Sequence, residues 1–305
     1  MTPRTIWTLA KRTAEAFIED AALTRGAAIA FYAITSLGPA LLVVVAIAGL
    51  AYGEEAARGA LFSRLSATMG PQPAAFLQDA IRSAGSHKGG IIATIVGTLS
   101  LIVTASGVFG EMQTALNAIW QAKPNRGTWA QLARARMISL LLVVALGLLL
   151  LVSVVIAAAI AAVSGMLNRH LPFAALLLEA ANFLITLVLL SAVIATIFKV
   201  LPDRDLAWHD VAVGAVVTAL LLTLGKVALG IYIGSSATIS SYGAAGSVVA
   251  TLFWIFYSAQ IFLLGAEFTQ VYAAYSAELS RSLAGSARPS DPASAAPGRP
   301  SPRAG

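Results

Sequence analysis

The stretch that decides the fold is FWIFYSAQIFLLGAEFTQVYA, residues Phe253 to Ala273. Its side chains are mostly aromatic or aliphatic, yet it contains one carboxylic acid, Glu267. About 20 predominantly apolar residues suffice for a helix to cross the hydrocarbon core of a bilayer. The stretch therefore predicts a membrane-spanning helix with an acidic group inside the membrane, which is rare and marks a candidate functional residue.

The composition of the whole chain is that of a membrane protein. Of its 305 residues, 58% are hydrophobic and 11% are charged, and the mean hydropathy is +0.82. A soluble domain is nearer half apolar and a quarter charged. The apolar runs are long and continuous, so they favour helices over the short alternating segments of a membrane barrel.

Six segments are long and apolar enough to span the membrane, which predicts an all-α polytopic protein. We divide the chain into an amphipathic N-terminal helix (residues 1–26), a six-helix transmembrane domain (27–273) and a cytoplasmic tail (274–305). The tail is rich in Ala, Pro, Ser and Gly, which predicts disorder from about residue 283. The predicted spans are Ala27–Ala51, Gly90–Gly110, Met137–Ser164, Ala181–Phe198, Val211–Gly234 and Ala244–Ala273.

The distribution of basic residues predicts the orientation. Lysine and arginine are enriched in the cytoplasmic loops of membrane proteins. With the N-terminus in the cytoplasm, fourteen of these residues lie in cytoplasmic segments and five lie outside. Both termini are therefore predicted to be cytoplasmic. The basic balance, net charge +6, suits a cytoplasmic lipid surface. No basic cluster with interleaved aromatic side chains points to nucleic acid as a partner.

Short amphipathic helices are predicted on both sides of the membrane. The segment Arg4–Leu23 places apolar side chains near one helical face and leads into the first span. The outside connection Tyr52–Gly89 has the pattern of two short helices, broken at Gly70–Pro73.

Two charged residues lie within spans, Lys226 and Glu267. They are not expected to pair, because their positions in the predicted spans differ by roughly 13 Å in depth at 1.5 Å per residue. For Lys226, one interpretation is snorkelling to the outer interface, and the other is a cation that meets an anionic head group in a cavity.

Glu267 also has two interpretations. It is either a structural carboxylate, paired with Arg25 or Lys199, or a polar or proton-coupled group on the wall of a cavity. Glu111 ends the second span at a similar depth and has the pattern of an interfacial helix end. With Arg25 and Tyr32 of the first-span segment, these residues form the candidate set for a cavity or transport path.

Two further segments suggest irregular backbone. Gly38 and Pro39 lie in the middle of the first span, where proline removes a helical hydrogen bond, so a helix break or kink is predicted there. The connection Gly234–Ser247 has no charged residue and is either a re-entrant turn or a plain outer loop.

No catalytic or cofactor-binding pattern is present in the sequence. His87, His170 and His209 are scattered, cysteine is absent, and no nucleophile elbow, metal motif or phosphate-binding loop is found. We therefore expect a protein that is not an enzyme and has no metal or cofactor. Any transport would be passive, ion-coupled or driven by a partner.

At four segments the chain resembles the YihY/virulence factor BrkB family of bacterial inner-membrane proteins. The most specific of them contains SYGAAGS, with Ser241, Tyr242 and Gly243, followed at a distance by GAEF around Glu267. The resemblance covers roughly Ile6 to Leu279. The four segments are RGAAIAFYAITSLGPALL (Arg25–Leu42), TASGVFGEMQTALNAIW (Thr104–Trp120), KVLPDRDLAWHDVAVGA (Lys199–Ala215) and SSYGAAGSVVATLFWIFYSAQIFLLGAEFTQVYA (Ser240–Ala273).

This resemblance implies a six-span protein of the bacterial inner membrane. Family members have carried a label as a tRNA-processing ribonuclease, and others are linked to serum resistance and to movement of lipid A precursors. A nuclease needs metal-holding carboxylates or histidines and a basic groove for RNA, and neither pattern is visible. The resemblance therefore favours transport of a lipid or lipid-linked amphiphile. The alternative is a non-catalytic scaffold for a protein partner in the cell envelope.

Overall fold

The computed structural model describes residues 3–85, 107–122, 174–235 and 245–286. Within these ranges the regular structure is helical and no strand is present, in agreement with the predicted all-α class. The helices are α1 (Pro3–Glu19), α2 (Ala22–Tyr52), α3 (Glu54–Met69), α4 (Pro71–Gly85), α5 (107–119), α6 (Ala174–Val200), α7 (Trp208–Ser235) and α8 (Gly246–Ser286).

Three of these helices are long and apolar enough to cross a membrane, through Ala180–Val200, Trp208–Ile233 and Gly246–Arg281. They correspond to the fourth, fifth and sixth predicted spans. The helix α2 adds a shorter apolar segment, Ala22–Leu37. The third predicted span and most of the second lie outside the described residues, so the count of six stays a prediction.

The longest helix, α8, organises the fold. Its 41 residues extend for about 60 Å at 1.5 Å per residue, roughly twice the hydrocarbon thickness of a bilayer. It packs against α1, α2, α4 and α7, while α6 packs against α7 and brings the ring of Phe198 within 5.1 Å, centroid to centroid, of Phe262 on α8. The main apolar core, which includes Phe198, Leu263 and Ala266, lies where these helices meet. The helix α8 continues to Ser286, and the rest of the tail lies outside the described residues, so its predicted disorder stays a prediction.

The first helix is separate from the second and folds back against α8. Asp20 and Ala21 form the turn between them, and Ala21 has a positive φ of 52°. The change of direction therefore comes before residue 26, where we had placed the boundary. Leu9 and Thr13 are buried on the inner face of α1, whereas Trp7 is 72% exposed on its outer face.

The helices α3 and α4 form the predicted broken pair. Gly70 lies between them with a φ of 89°, a conformation that glycine adopts without the steric cost of a Cβ atom. Leu77 and Ile81 of α4 bury their side chains in a small core with Leu41 of α2. The two-helix prediction for this connection is confirmed.

No helix break is present at Gly38 and Pro39, and the kink predicted there as the alternative stays a prediction. The helix α2 continues through both residues, from Ala22 to Tyr52. A proline costs a helix one backbone hydrogen bond, and a long apolar helix packed among others can absorb that loss without unwinding.

A polar clamp holds the end of α5 against the connection between α6 and α7. The side-chain amide of Asn117 donates to Asp203 Oδ2 at 2.8 Å, and Asn117 Oδ1 accepts the backbone N–H of Asp203 at 2.8 Å. Arg204 Nη1 donates to the backbone oxygen of Trp120 at 2.6 Å. These bonds position the α6–α7 connection, and hence the start of α7.

Candidate functional site around Glu267

Glu267 is the most deeply buried charged residue in the part of the chain that the structure describes. Its side chain is 1% exposed, and among the described residues its Oε1 has no hydrogen-bond partner. The carboxyl group of Asp20, at the turn between α1 and α2, lies close enough to Glu267 to interact with it electrostatically. Two carboxyl groups therefore meet where α1, α2 and α8 converge.

The depth of Glu267 is set by a reciprocal contact between α7 and α8. On α8, Gly265 lies against the side chain of Thr218, and on α7, Gly214 lies against the side chain of Thr269. A Cβ atom built on either glycine would overlap the facing threonine. The two helices are antiparallel here, and each contributes a glycine followed four residues later by a threonine. We call this contact the glycine–threonine pair.

The hydroxyl groups in this contact are satisfied within their own helices. Thr218 Oγ1 donates to the Gly214 oxygen at 2.7 Å, and Thr269 Oγ1 donates to the Gly265 oxygen at 2.6 Å. The contact between the helices is therefore close van der Waals packing, which small residues allow in a membrane. It fixes the level at which Glu267 projects from α8.

The two cations predicted as partners of Glu267 have other partners. Arg25 Nε donates to the backbone oxygen of Asp20 at 2.9 Å. Lys199 Nζ donates to the backbone oxygen of Leu206 at 2.6 Å and lies 4.0 Å from the carboxylate of Asp205. Glu267 faces an acidic side chain at the α1–α2 turn and not a basic one.

Lys226 lies at a different level of the membrane from Glu267. The glycine–threonine pair places Glu267 of α8 beside residue 216 of α7, the middle of the 214–218 segment. Lys226 is ten residues further along α7, which corresponds to about 15 Å. The neighbouring Gly225 packs against Tyr257 and Ile261. Lys226 is exposed on the outer face of α7.

The remaining candidates are not gathered around Glu267. The ring of Tyr32 packs on Gly107 at the start of α5, which joins the first-span helix to α5. Glu111 is half-buried on α5. The structure describes only the backbone of Gly38 and Pro39. The segment Ser241–Gly243 lies outside the described residues.

Two of the cavities among the described residues bear on the site. One, of about 440 Å³, is an open apolar groove between α7 and α8, lined by Leu229, Tyr232, Phe253 and Tyr257 with Ala228. The other, of about 350 Å³, lies between α3 and α4. None of the candidate residues that the structure describes lines either cavity.

Sequence reasoning missed Asp20, the glycine–threonine pair and the Asn117–Asp203 clamp. The pair did have a sequence signal, since GAVVT (residues 214–218) and GAEFT (residues 265–269) share the pattern G-A-x-x-T. Asp20 had none, because its role depends on α1 folding back onto α8. Within the described residues, no group of three potential metal ligands is found.

Comparison with known proteins gives one family over almost the whole chain. The family described as Virulence factor BrkB matches residues 13–289. The chain is 26% identical over 248 residues to a UPF0761 membrane protein of Rhodospirillum centenum, covering 80% of this chain and 52% of the relative. It is 32% identical over 177 residues to one of Chromobacterium violaceum (58% and 40% covered) and 30% identical over 190 residues to one of Yersinia pestis (61% and 61% covered).

These alignments span between two fifths and about three fifths of the relatives' own lengths. The names of these relatives state a membrane location and no activity. No solved structure matches the chain.

Proposed function

The chain belongs to the Virulence factor BrkB family of membrane proteins, and from this premise we propose that it moves a lipid or lipid-linked amphiphile in a bacterial inner membrane. The proposal assigns no catalytic step. It uses a polar group inside the bundle to receive the polar part of the substrate, and the lipid-facing surface to receive the apolar part.

The observation that carries the proposal is the buried carboxyl group of Glu267. Leaving a buried polar atom without a hydrogen bond typically costs about 1–3 kcal/mol. A helix that only needed to pack could avoid this cost with an apolar side chain, as it does at the neighbouring Ala266. An acidic side chain held against Asp20 is therefore best explained by an intermittent polar partner, such as a substrate head group or a cation that accompanies it.

The groove between α7 and α8 supports the apolar half of the proposal. Its walls are formed by aliphatic and aromatic side chains, and the rings of Tyr232 and Phe253 stack with centroids 5.5 Å apart. An open apolar groove of about 440 Å³ suits an acyl chain.

Lipid translocation in proteoliposomes tests the proposal. The purified chain is reconstituted with a fluorescent phospholipid, and a membrane-impermeant quencher removes the signal of the outer leaflet. We expect a protein-dependent loss of the protected inner pool, and a lower rate for Glu267→Gln. The matched control is Glu278→Gln, since Glu278 is an exposed carboxylate on the same helix.

The outcomes decide whether phospholipid is moved and whether Glu267 takes part. A rate for Glu267→Gln equal to that of the wild type would remove Glu267 from the mechanism. No translocation by any form would count against movement of phospholipids. A second variant, Lys226→Met, tests whether the outer-leaflet cation takes part, with Lys11→Met on α1 as its control.

A scaffold role is the second candidate, and the tight packing of α7 on α8 favours it. The glycine–threonine pair leaves little room between these helices at the level of Glu267, and the candidate charges lie off the described cavities. A scaffold predicts a partner that co-purifies with the wild type and no lipid movement by the chain alone.

A further inference from the structure

The cavity between α3 and α4 is built on a rigid base. The two helices form a hairpin around Gly70, and the apolar face of the hairpin packs on Leu41 of α2 and Trp254 of α8. Thr251 Oγ1 also donates to the backbone oxygen of Pro73, at 3.4 Å. The walls of the cavity are therefore anchored to two helices of the transmembrane domain.

The position of this cavity is at the opposite end of the helical bundle from Glu267. The hairpin follows the end of α2 at Tyr52, and it contacts α8 near Trp254. Glu267 lies thirteen residues further along α8, or about 20 Å away. The cavity is thus a separate site, at a level where the apolar helices end and polar head groups are expected.

The lining combines positive charge with an apolar wall. Arg58 reaches the cavity from α3 and Arg82 from α4, while Glu55 is the one acidic group among the described residues that line it. Phe62 and Leu65 contribute apolar surface beside these groups. The volume, about 350 Å³, is within the range of pockets that hold small ligands, roughly 300–1,000 Å³.

Two arginines on facing helices are suited to a phosphate group. The planar guanidinium donates two parallel hydrogen bonds to phosphate oxygens and keeps its charge throughout the accessible pH range. Glu55 opposes an anion at this site, whereas both arginines attract one. Phe62 and Leu65 would contact the apolar part of a ligand whose phosphate lies between Arg58 and Arg82.

We propose that the α3–α4 cavity binds the phosphate head group of an anionic amphiphile, with its apolar part against Phe62 and Leu65. This inference rests on the proposed function, and it identifies the substrate class as phosphate-bearing. The site would collect the head group on the side of the membrane where α2 ends and α8 begins.

A binding measurement with defined probes tests the cavity. The full chain in neutral detergent is titrated with dihexanoyl phosphatidic acid, with zwitterionic dihexanoyl phosphatidylcholine, and with inorganic phosphate. We expect phosphatidic acid to bind more tightly than either of the others, since only this probe carries both an unshielded phosphate and acyl chains. Replacing Arg82 with glutamine removes charge-assisted hydrogen bonds and is expected to weaken binding about tenfold.

The matched control is Arg281→Gln, an exposed arginine near the other end of α8, which should leave the affinity unchanged. Arg82 is itself exposed, and the circular dichroism and thermal midpoint of its variant verify the fold. Equal affinity of Arg82→Gln and the wild type for phosphatidic acid would overturn the proposal. Equal affinities for inorganic phosphate and phosphatidic acid would refute the proposal that the ligand is an amphiphile, because the acyl chains would then contribute nothing to binding.

Translocation by the same preparations distinguishes a failure of this proposal from a failure of the proposed function. Binding that depends on Arg82, without translocation by the wild type, would support the cavity and contradict transport. If the wild type translocates lipid but Arg82→Gln leaves the affinity for phosphatidic acid unchanged, transport is supported and the proposed binding site in the cavity is refuted.

Discussion

The substitution Gly214→Ala should destabilise the protein, although alanine is a better helix former than glycine. At an open helical position, this replacement stabilises by about 0.5–1 kcal/mol. At Gly214, however, the new methyl group would lie 2.6 Å from the Cβ atom of Thr269, far inside van der Waals contact. Overpacking of this kind typically costs about 1–3 kcal/mol, because α7 and α8 must move apart.

A matched control lies on the same helix. Among the described residues nothing lies within 4 Å of a Cβ atom built on Gly230, so Gly230→Ala should retain the benefit to helix propensity without a clash. Since both variants gain the same helix propensity, the expected difference in the free energy of unfolding between them is the overpacking cost, about 1–3 kcal/mol. Unfolding is followed by tryptophan fluorescence during titration of the detergent-solubilised protein with sodium dodecyl sulfate.

A double variant makes the measurement specific to the contact. Thr269→Gly removes the atoms that the Gly214→Ala methyl group would overlap, so the double variant should be less destabilised than the sum of the two single variants. If Gly214→Ala unfolds at the same detergent fraction as Gly230→Ala, the close approach of α7 and α8 is refuted.

Two further predictions concern the polar clamp and the orientation. Asn117→Ala removes both hydrogen bonds to Asp203 and should lower the free energy of unfolding by about 1–3 kcal/mol. Gln113→Ala removes a single longer hydrogen bond of 3.3 Å to the same carboxylate, so it should lower the free energy of unfolding by less. Equal decreases for the two variants would contradict the clamp. Because the chain has no cysteine, Ala14→Cys on α1 and Ser63→Cys on α3 can be labelled individually with an impermeant maleimide in intact cells. The orientation predicts labelling at residue 63 and protection at residue 14, and labelling at 14 with protection at 63 would reverse it.

The sequence was most informative where local chemistry decides the structure. The apolar length of Val211–Gly234 and Ala244–Ala273 predicted two helices that the structure contains as α7 and α8. The break at Gly70 was predictable because Gly70 is followed by prolines at 71 and 73, and glycine adopts its positive φ without steric cost. At Gly38 and Pro39 the helix is not broken, since α2 continues through both residues, and the predicted kink stays a prediction.

Glu267 was recognisable as a candidate from sequence, but its partner was not. An acidic residue in an apolar run is visible without any structure, whereas Asp20 reaches it only because α1 turns at Ala21 and packs on α8. The expected pairing with Arg25 or Lys199 was reasonable from charge alone. In the structure both cations hydrogen-bond to backbone oxygens of nearby turns.

The sequence by itself determined that this chain belongs in a membrane, which runs are apolar helices, and that Glu267 lies within one of them. These properties follow from residue composition and from the rise of a helix, both of which are local. Only the tertiary structure decided the level of α7 against α8, the meeting of Asp20 with Glu267, and the facing of Arg58 and Arg82 across one cavity. The physical reason is that these contacts join residues distant in sequence, and their geometry depends on how helix surfaces interlock.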